Sequence, residues 1–119
     1  DLLNRSLRLG ARAQDFFEAA QARYPFLGAV RMYGLDGGID IVDPESGEMD
    51  PVAATKIITR AFELGVIIIT LRGSILRFQP PLVITEAQLD RALAILDQAF
   101  ADYAAGQLTL PANSDQIGW

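Results

Sequence analysis

The sequence predicts an α+β fold, a two-layer sandwich in which a small, mostly antiparallel sheet carries helices on one face. Three observations support this prediction. Helical and extended segments follow the order α-β-β-α-β-β-α, which favours neighbouring antiparallel strands. Half of the residues are hydrophobic and 21% are charged, as in a folded domain. The length of 119 residues suits one domain.

The first helix is predicted over residues 2–22, because apolar side chains recur there at roughly helical spacing. Gly10 weakens its middle by up to about 1 kcal/mol and permits a bend. Tyr24-Pro25 ends it, since proline disfavours helix in the residue before it. The apolar stripe expected to face the core is Leu3, Leu7, Ala11, Phe17 and Ala20.

Four extended segments are predicted at residues 29–33, 38–42, 66–70 and 75–78. Glycines at positions 34, 37 and 38 indicate a tight bend or bulge between the first two. Residues 66–70 form a continuous β-branched run, so we expect a buried strand that needs cover on both faces, although this chain has few helices to supply it. A turn at residues 71–74 makes the last segment its antiparallel partner, and Pro80-Pro81 ends the pairing.

Two further helices have clear start signals. Asp50 can accept an N-cap hydrogen bond and Pro51 suits the first helical position, so a helix is predicted over residues 51–64. Thr85 and Gln88 fit a capping box at the start of a leucine-rich helix. Gly65 and Gly106 are expected to end these two helices, and residues 107–119 are predicted to be irregular.

The composition excludes several kinds of site. The chain has no cysteine, which rules out disulfides, thiolate metal sites and a cysteine nucleophile, and no histidine, which rules out a Ser-His-Asp triad and the usual zinc ligands. The formal net charge of −5 argues against nucleic acid as a partner. No apolar run reaches about 18 residues and no signal-peptide pattern is visible, so we expect no membrane insertion and a cytoplasmic protein.

Arg77 is the most interesting candidate for a ligand contact. Strand alternation places it on one face with Ile75 and Gln79, while Leu76 and Phe78 face the other way. Its planar guanidinium can hold a carboxylate through two parallel hydrogen bonds. An arginine on an exposed sheet face is the alternative, and the pattern alone leaves both interpretations open.

The other candidates have simpler interpretations. Lys56, the sole lysine, would need a depressed pKa to form a Schiff base, and we interpret it as a solvated helix residue. The acidic residues between positions 40 and 50 lack the spacing of a calcium-binding loop, so we predict a solvated loop and no metal site. Trp119 is interpreted as a packing or disordered residue. We predict no catalytic and no cofactor-binding residue in this chain.

Several stretches of the sequence resemble one enzyme family. They are Val30-Arg31, Gly34-Leu35, Gly38 to Pro44, Phe62 to Gly65, and above all Ile75 to Thr85 with the leucine-rich helix after it. Over nearly its whole length the chain resembles the C-terminal small domain of class III pyridoxal-phosphate aminotransferases, which are fold-type I enzymes. The segments 38–42 and 77–85 and the ending Gly118-Trp119 are also similar to the isoleucine 2-epimerase branch of that family.

The resemblance implies a division into an interdomain helix at residues 1–25, the small domain at 26–106 and an irregular tail at 107–119. It also implies that Arg77 binds the substrate carboxylate across the domain cleft. Pyridoxal 5'-phosphate, its Schiff-base lysine and its phosphate-binding loop would belong to a large domain outside this chain, so the chain alone would be inactive. The full-length enzyme is expected to be a homodimer.

The function implied by the resemblance is transfer of an amino group from an amino acid, 4-aminobutyrate-like or other, to a 2-oxo acid. One alternative is racemisation or epimerisation of an amino acid with the same cofactor. Another is a non-catalytic interaction domain, which the missing lysine motif favours for this chain taken alone.

Overall fold

The computed structural model describes residues 1–110, and the elements follow the predicted order. They are α1 (Leu2–Arg23), β1 (Leu27–Tyr33), β2 (Asp36–Ile41), α2 (Pro51–Leu64), β3 (Ile69–Leu71), β4 (Ile75–Phe78) and α3 (Glu86–Ala104). The predicted α+β class is confirmed. Residues 107–110 have no regular structure, and the rest of the predicted tail, with Trp119, lies outside the described residues.

The four strands form one antiparallel sheet in the order β1-β2-β4-β3. Because side chains alternate along each strand, the sheet has two distinct faces. One face carries Ile39, Ile41, Leu76 and Phe78, all at most 3% exposed, and packs against the helical layer. The opposite face, which carries Arg77, has exposed or half-buried side chains and is called the open face below.

The sequence signals at the helix ends correspond to real contacts. The Asp50 carboxylate accepts a hydrogen bond from the amide of Ala53 at 3.1 Å, and Gly65 ends α2 with a φ of 113°. In the capping box, the amide of Gln88 donates to the Thr85 hydroxyl at 3.1 Å and the amide of Thr85 donates to the Gln88 side chain at 2.9 Å. These predictions are confirmed.

The apolar stripe predicted for α1 is wrong in its first half. Leu3 and Leu7 are 66% and 54% exposed, whereas Leu9 is completely buried. The predicted positions do not keep to one helical face, because the step from residue 11 to residue 17 is not a helical repeat. The side chains that enter the core recur at steps of four, four and three, and they are Leu9, Ala13, Phe17 and Ala20.

The strand predicted over residues 66–70 is also corrected. It begins only at Ile69, and it is not buried, because Ile67 and Ile69 are 76% and 53% exposed. β3 lies at the edge of the sheet and, in the part of the chain that the structure describes, pairs only with β4. An aliphatic run therefore faces solvent where the sequence predicted cover on both sides. Within residues 1–110, no helix combines the length and the apolar character needed to cross a bilayer.

Candidate functional site

Arg77 lies in the middle of the open face. Its position on β4 is opposite Gly38 of β2 on one side and Ile69 of β3 on the other. The neighbouring Leu76 and Phe78 point into the core, as the alternation predicts. The Arg77 side chain is 33% exposed, so its guanidinium is partly shielded but still reachable from solvent.

Gly38 leaves room between two arginines. It lies opposite Arg31 on β1 and opposite Arg77 on β4, so the three residues form one row across the sheet. A Cβ added at Gly38 would lie 3.2 Å from Cγ2 of Ile75 and 3.9 Å from Nη2 of Arg31. The space above this row belongs to a shallow cavity of about 360 Å³. Its lining includes Arg31, Tyr33, Asp36, Gly38, Leu71, Ile75 and Arg77.

Arg31 is firmly paired with Asp40. Its guanidinium donates to both carboxylate oxygens, with Nη2–Oδ1 at 2.5 Å and Nη1–Oδ2 at 3.4 Å. This hydrogen bonding and the charge of Asp40 raise the pKa of the Arg31 guanidinium. The guanidinium edge of Arg31 already donates to a carboxylate of the same chain. Arg31 therefore lines the cavity without offering these donors to a ligand.

Arg77 is only loosely paired. Among the described residues, its nearest carboxylate is that of Asp36, with Nη2–Oδ2 at 3.6 Å, which is an ion contact too long for a hydrogen bond. The Asp36 side chain is half exposed. The donors of Arg77 are therefore available to another carboxylate, which the guanidinium can grip in the bidentate geometry.

A second cavity lies on the other side of Arg77. It measures about 250 Å³ and is lined by residues 66–69, residues 77–80 and Ala92. Most of this lining is aliphatic. Arg77 thus stands between an aliphatic recess next to the edge strand and the recess above Gly38, whose lining includes more charged side chains.

Lys56 does not share a cavity with Arg77. It is a half-buried residue of α2, and the recess beside it is formed by residues of α2 and α3 and by residues 107–110. The helical layer and the open sheet face are thus separate surfaces. No contact brings the two candidate residues together within residues 1–110.

The acidic residues between positions 40 and 50 serve separate local roles. Asp40 pairs with Arg31, Asp50 caps α2, and Asp43 accepts the amide of Glu45 at 2.8 Å in a tight turn. In the part of the chain that the structure describes, no group of three or more acidic side chains is placed to hold a metal ion. The loop interpretation holds for the exposed Asp43, Glu45 and Glu48, whereas it is wrong for Asp40, which is a strand residue of β2 with a side chain only 17% exposed.

Sequence reasoning missed Arg31 and Asp36 as site residues. The Arg31–Asp40 pair has a sequence signal, because both residues interrupt aliphatic strand positions and an antiparallel register can make them diagonal neighbours on one face. Asp36 has no such signal, because it is the first residue of a glycine-rich strand whose register with β4 is not readable from local pattern.

Comparison with known proteins identifies the family. Residues 1–100 match the family model described as "Aminotransferase class-III". The chain is 52% identical over 119 residues to isoleucine 2-epimerase of Lentilactobacillus buchneri, covering 99% of this chain and 26% of that protein. It is 34% identical over 99 residues to a probable 4-aminobutyrate aminotransferase of Bacillus subtilis, covering 81% of this chain and 23% of the relative.

The fold has solved counterparts. An S-selective transaminase from Arthrobacter superposes with a TM-score of 0.78 at 22% identity, over 89% of this chain and 26% of that structure. At this identity the likeness supports the fold alone. The chain spans about a quarter of the length of the curated relatives it matches. The resemblance in the sequence is therefore confirmed, and the chain belongs to the class-III aminotransferase family.

Proposed function

We propose that the complete protein is a pyridoxal-phosphate enzyme acting on amino acids, and that this chain supplies the side of the cleft that binds the substrate carboxylate. The observation that carries this proposal is the state of Arg77. It is a partly exposed guanidinium beside a cavity of about 360 Å³, and within residues 1–110 a single loose ion contact holds it. A substrate carboxylate matches the donors that this guanidinium presents.

The cofactor itself does not fit the residues of this chain. Class-III aminotransferases depend on pyridoxal phosphate, which a lysine holds as a Schiff base. The sole lysine, Lys56, lies on α2 with Arg60 and Glu63 around it, apart from the cavity of Arg77. The proposal therefore assigns cofactor binding to the polypeptide outside this chain, and the chain alone is expected to be inactive.

The proposed domain division suggests what the open face contacts in the complete protein. Residues 1–25 would act as an interdomain helix, residues 26–106 as the small domain and residues 107–119 as a tail. The larger remaining part of the protein would pack against the open face and the exposed edge of β3. A homodimer of the complete enzyme and a location in the cytoplasm stay predictions.

Two reactions are candidates for the complete enzyme. Transamination with a 2-oxo acid is supported by the family model and by the aminotransferase relative. Epimerisation or racemisation of an amino acid is supported by the 52% identity to isoleucine 2-epimerase. Carboxylate binding by Arg77 serves both reactions equally, so the choice depends on groups outside this chain.

A product assay on the complete protein distinguishes the two reactions. Epimerisation needs no amino acceptor, whereas transamination stops without a 2-oxo acid. Each candidate amino acid is incubated with and without a 2-oxo acid, and the products are separated on a chiral column. Stereoinversion without the acceptor supports epimerisation, and acceptor-dependent formation of a new amino acid supports transamination. Absence of both reactions across amino-acid substrates would leave the non-catalytic interpretation.

Substitution of Arg77 tests the proposed role directly. Arg77→Ala in the complete enzyme is expected to lower kcat/KM by roughly 30- to 1,000-fold, equal to about 2–4 kcal/mol of lost transition-state binding. Cofactor content should remain that of the wild type, because the cofactor is held elsewhere. Arg91→Ala is the matched control, since it removes an exposed arginine from α3 in the helical layer. Unchanged kcat/KM in Arg77→Ala would refute the role.

A further inference from the structure

A strip of aliphatic side chains runs along the β3 side of the open face. Ile69 and Leu71 pair with open-face residues of β4, so they share that face, and they are 53% and 41% exposed. Ile67 is 76% exposed, whereas Ile68 packs partly against the core. This segment therefore alternates as an extended chain does, although only its last three residues pair with β4. The three exposed side chains are called the aliphatic strip below.

The aliphatic recess lies beside this strip, at the point where the pairing of β3 with β4 stops. The last pair is Ile69 with Arg77. Beyond it, residues 66–69 and 77–80 line a space of about 250 Å³ together with Ala92 of α3. A cavity of about 150 Å³ already accommodates a benzene ring, so this recess has room for a large apolar side chain.

The two edges of the sheet are protected to different degrees. β1, the opposite edge strand, has a register shift between Leu27 and Val30 and carries Arg31 among apolar residues. Bulges and charged side chains are the usual means by which an edge strand avoids contact with another chain. Residues 66–71 contain no charged residue and no proline. This edge therefore has the character of a contact surface.

The size of the surface indicates a polypeptide partner. From Ile67 to Leu71 the strip is about 13 Å long, at about 3.3 Å per residue of extended chain, which is more than one amino-acid substrate covers. The chain spans about a quarter of the length of its curated relatives, so a longer polypeptide has ample sequence to supply the cover. A symmetric contact between two copies would instead bring two Arg77 side chains to one interface, where like charges repel.

We propose that an apolar segment of the polypeptide outside this chain lies along the aliphatic strip and inserts one apolar side chain into the aliphatic recess. The segment covers Ile67, Ile69 and Leu71 and ends at Arg77, whose other side faces the cavity above Gly38. This inference rests on the proposed packing of the remaining polypeptide. It does not depend on carboxylate binding by Arg77.

Cysteine labelling measures this cover directly, because the chain has no cysteine of its own. Ile67→Cys is prepared in the complete protein and in the 119-residue chain, and alkylation of the new thiol is followed by mass spectrometry of its peptide. The thiol is expected to react at least about tenfold more slowly in the complete protein, because thiol reactivity depends on exposure. Val52→Cys, at a 49% exposed position of α2 in the helical layer, is the matched control and should react equally fast in both.

Ala92→Leu tests the recess, because the larger side chain fills the space that the inserted side chain needs. In the complete protein with Ile67→Cys, it is expected to raise the labelling rate at least about fivefold, since overpacking displaces the inserted group. Ala94→Leu is the matched control. It adds the same side chain at an exposed position of α3 that lines the groove between α1 and α3, and it should leave the rate unchanged.

Each other outcome has a definite meaning. Equally fast labelling of Ile67→Cys in both proteins overturns the inference. Labelling of the 119-residue chain that slows as its concentration rises assigns the strip to a second copy and also overturns it. Slow labelling that Ala92→Leu does not raise overturns the inserted side chain. Wild-type kcat/KM in Arg77→Ala, together with slow labelling of Ile67→Cys, refutes the proposed role of Arg77 and leaves this inference standing.

Discussion

Gly10 lies where α1 touches the turn between β1 and β2. A Cβ at this position would be 2.0 Å from the carbonyl oxygen of Gly34, far inside van der Waals contact. Gly34 itself has a φ of 59°, so the turn is built on a conformation that favours glycine. The helix and the turn therefore approach each other through two residues without side chains.

Gly10→Ala is expected to destabilise the chain, although helix propensity alone favours alanine by up to about 1 kcal/mol. Overpacking of a well-packed contact costs about 1–3 kcal/mol, and here the obstacle is backbone that cannot rotate away. Thermal or urea unfolding of the 119-residue chain shows whether Gly10→Ala lowers or raises its stability. Ala11→Gly, at an exposed position of the same helix, should lose stability by propensity alone. A Gly10→Ala variant more stable than the wild type would contradict this packing.

Ser74 ties three elements together at the end of β2. Its buried hydroxyl donates to the carbonyl of Ile41 at 2.6 Å and accepts the amide of Asp50 at 2.9 Å. The backbone amide of Ile41 in turn donates to the carbonyl of Ser74 at 2.9 Å. The hairpin turn after β3 is thereby fastened to the start of α2.

Ser74→Ala is expected to cost about 1–3 kcal/mol of unfolding free energy, because it removes two buried hydrogen bonds, while the Asp50 amide keeps its bond to the Ile41 carbonyl at 2.9 Å. Ser46→Ala is the control, since the Ser46 hydroxyl accepts one amide in an exposed turn at 3.2 Å. Its effect should be within about 0.5 kcal/mol. Denaturant titrations of both variants provide the comparison, and equal losses would show that the Ser74 contacts contribute nothing special.

The elements show what local sequence can and cannot predict. The capping residues Asp50 and Thr85 act on amides three residues away, so their signals were readable and the starts of α2 and α3 are correct. The burial of Ile67 depends on what lies beyond the edge of the sheet, and an aliphatic run carries no information about that. Strand alternation is also a local signal, and it correctly placed Arg77 on the face opposite the core side chains. The loose pairing of Arg77 with Asp36 depends on the register between strands that are distant in the sequence, so no local pattern could predict it.

At the scale of the whole molecule, the exposed apolar edge of the sheet is the surface that the proposed remaining polypeptide would cover. Ile67→Ala in the 119-residue chain is expected to change stability by less than about 0.5 kcal/mol, because the side chain is 76% exposed. Ile57→Ala, at a fully buried position of α2, should cost about 2–5 kcal/mol.

In the complete protein, the expected result for Ile67→Ala differs. If the rest of the polypeptide packs on this edge, the substitution should lower the unfolding temperature clearly, while Ile57→Ala remains the larger loss. An effect as small as in the 119-residue chain would show that this edge stays exposed in the complete protein.

The central claim is that the Arg77 guanidinium binds a substrate carboxylate, and a substrate comparison tests it most directly. Turnover of an amino acid and of the amine that lacks its carboxylate is measured in the complete enzyme, with and without Arg77→Ala. The account predicts that the preference for the amino acid falls by roughly 30- to 1,000-fold, because only that substrate loses a contact. A preference that survives the substitution, with both substrates slowed equally, would contradict the account.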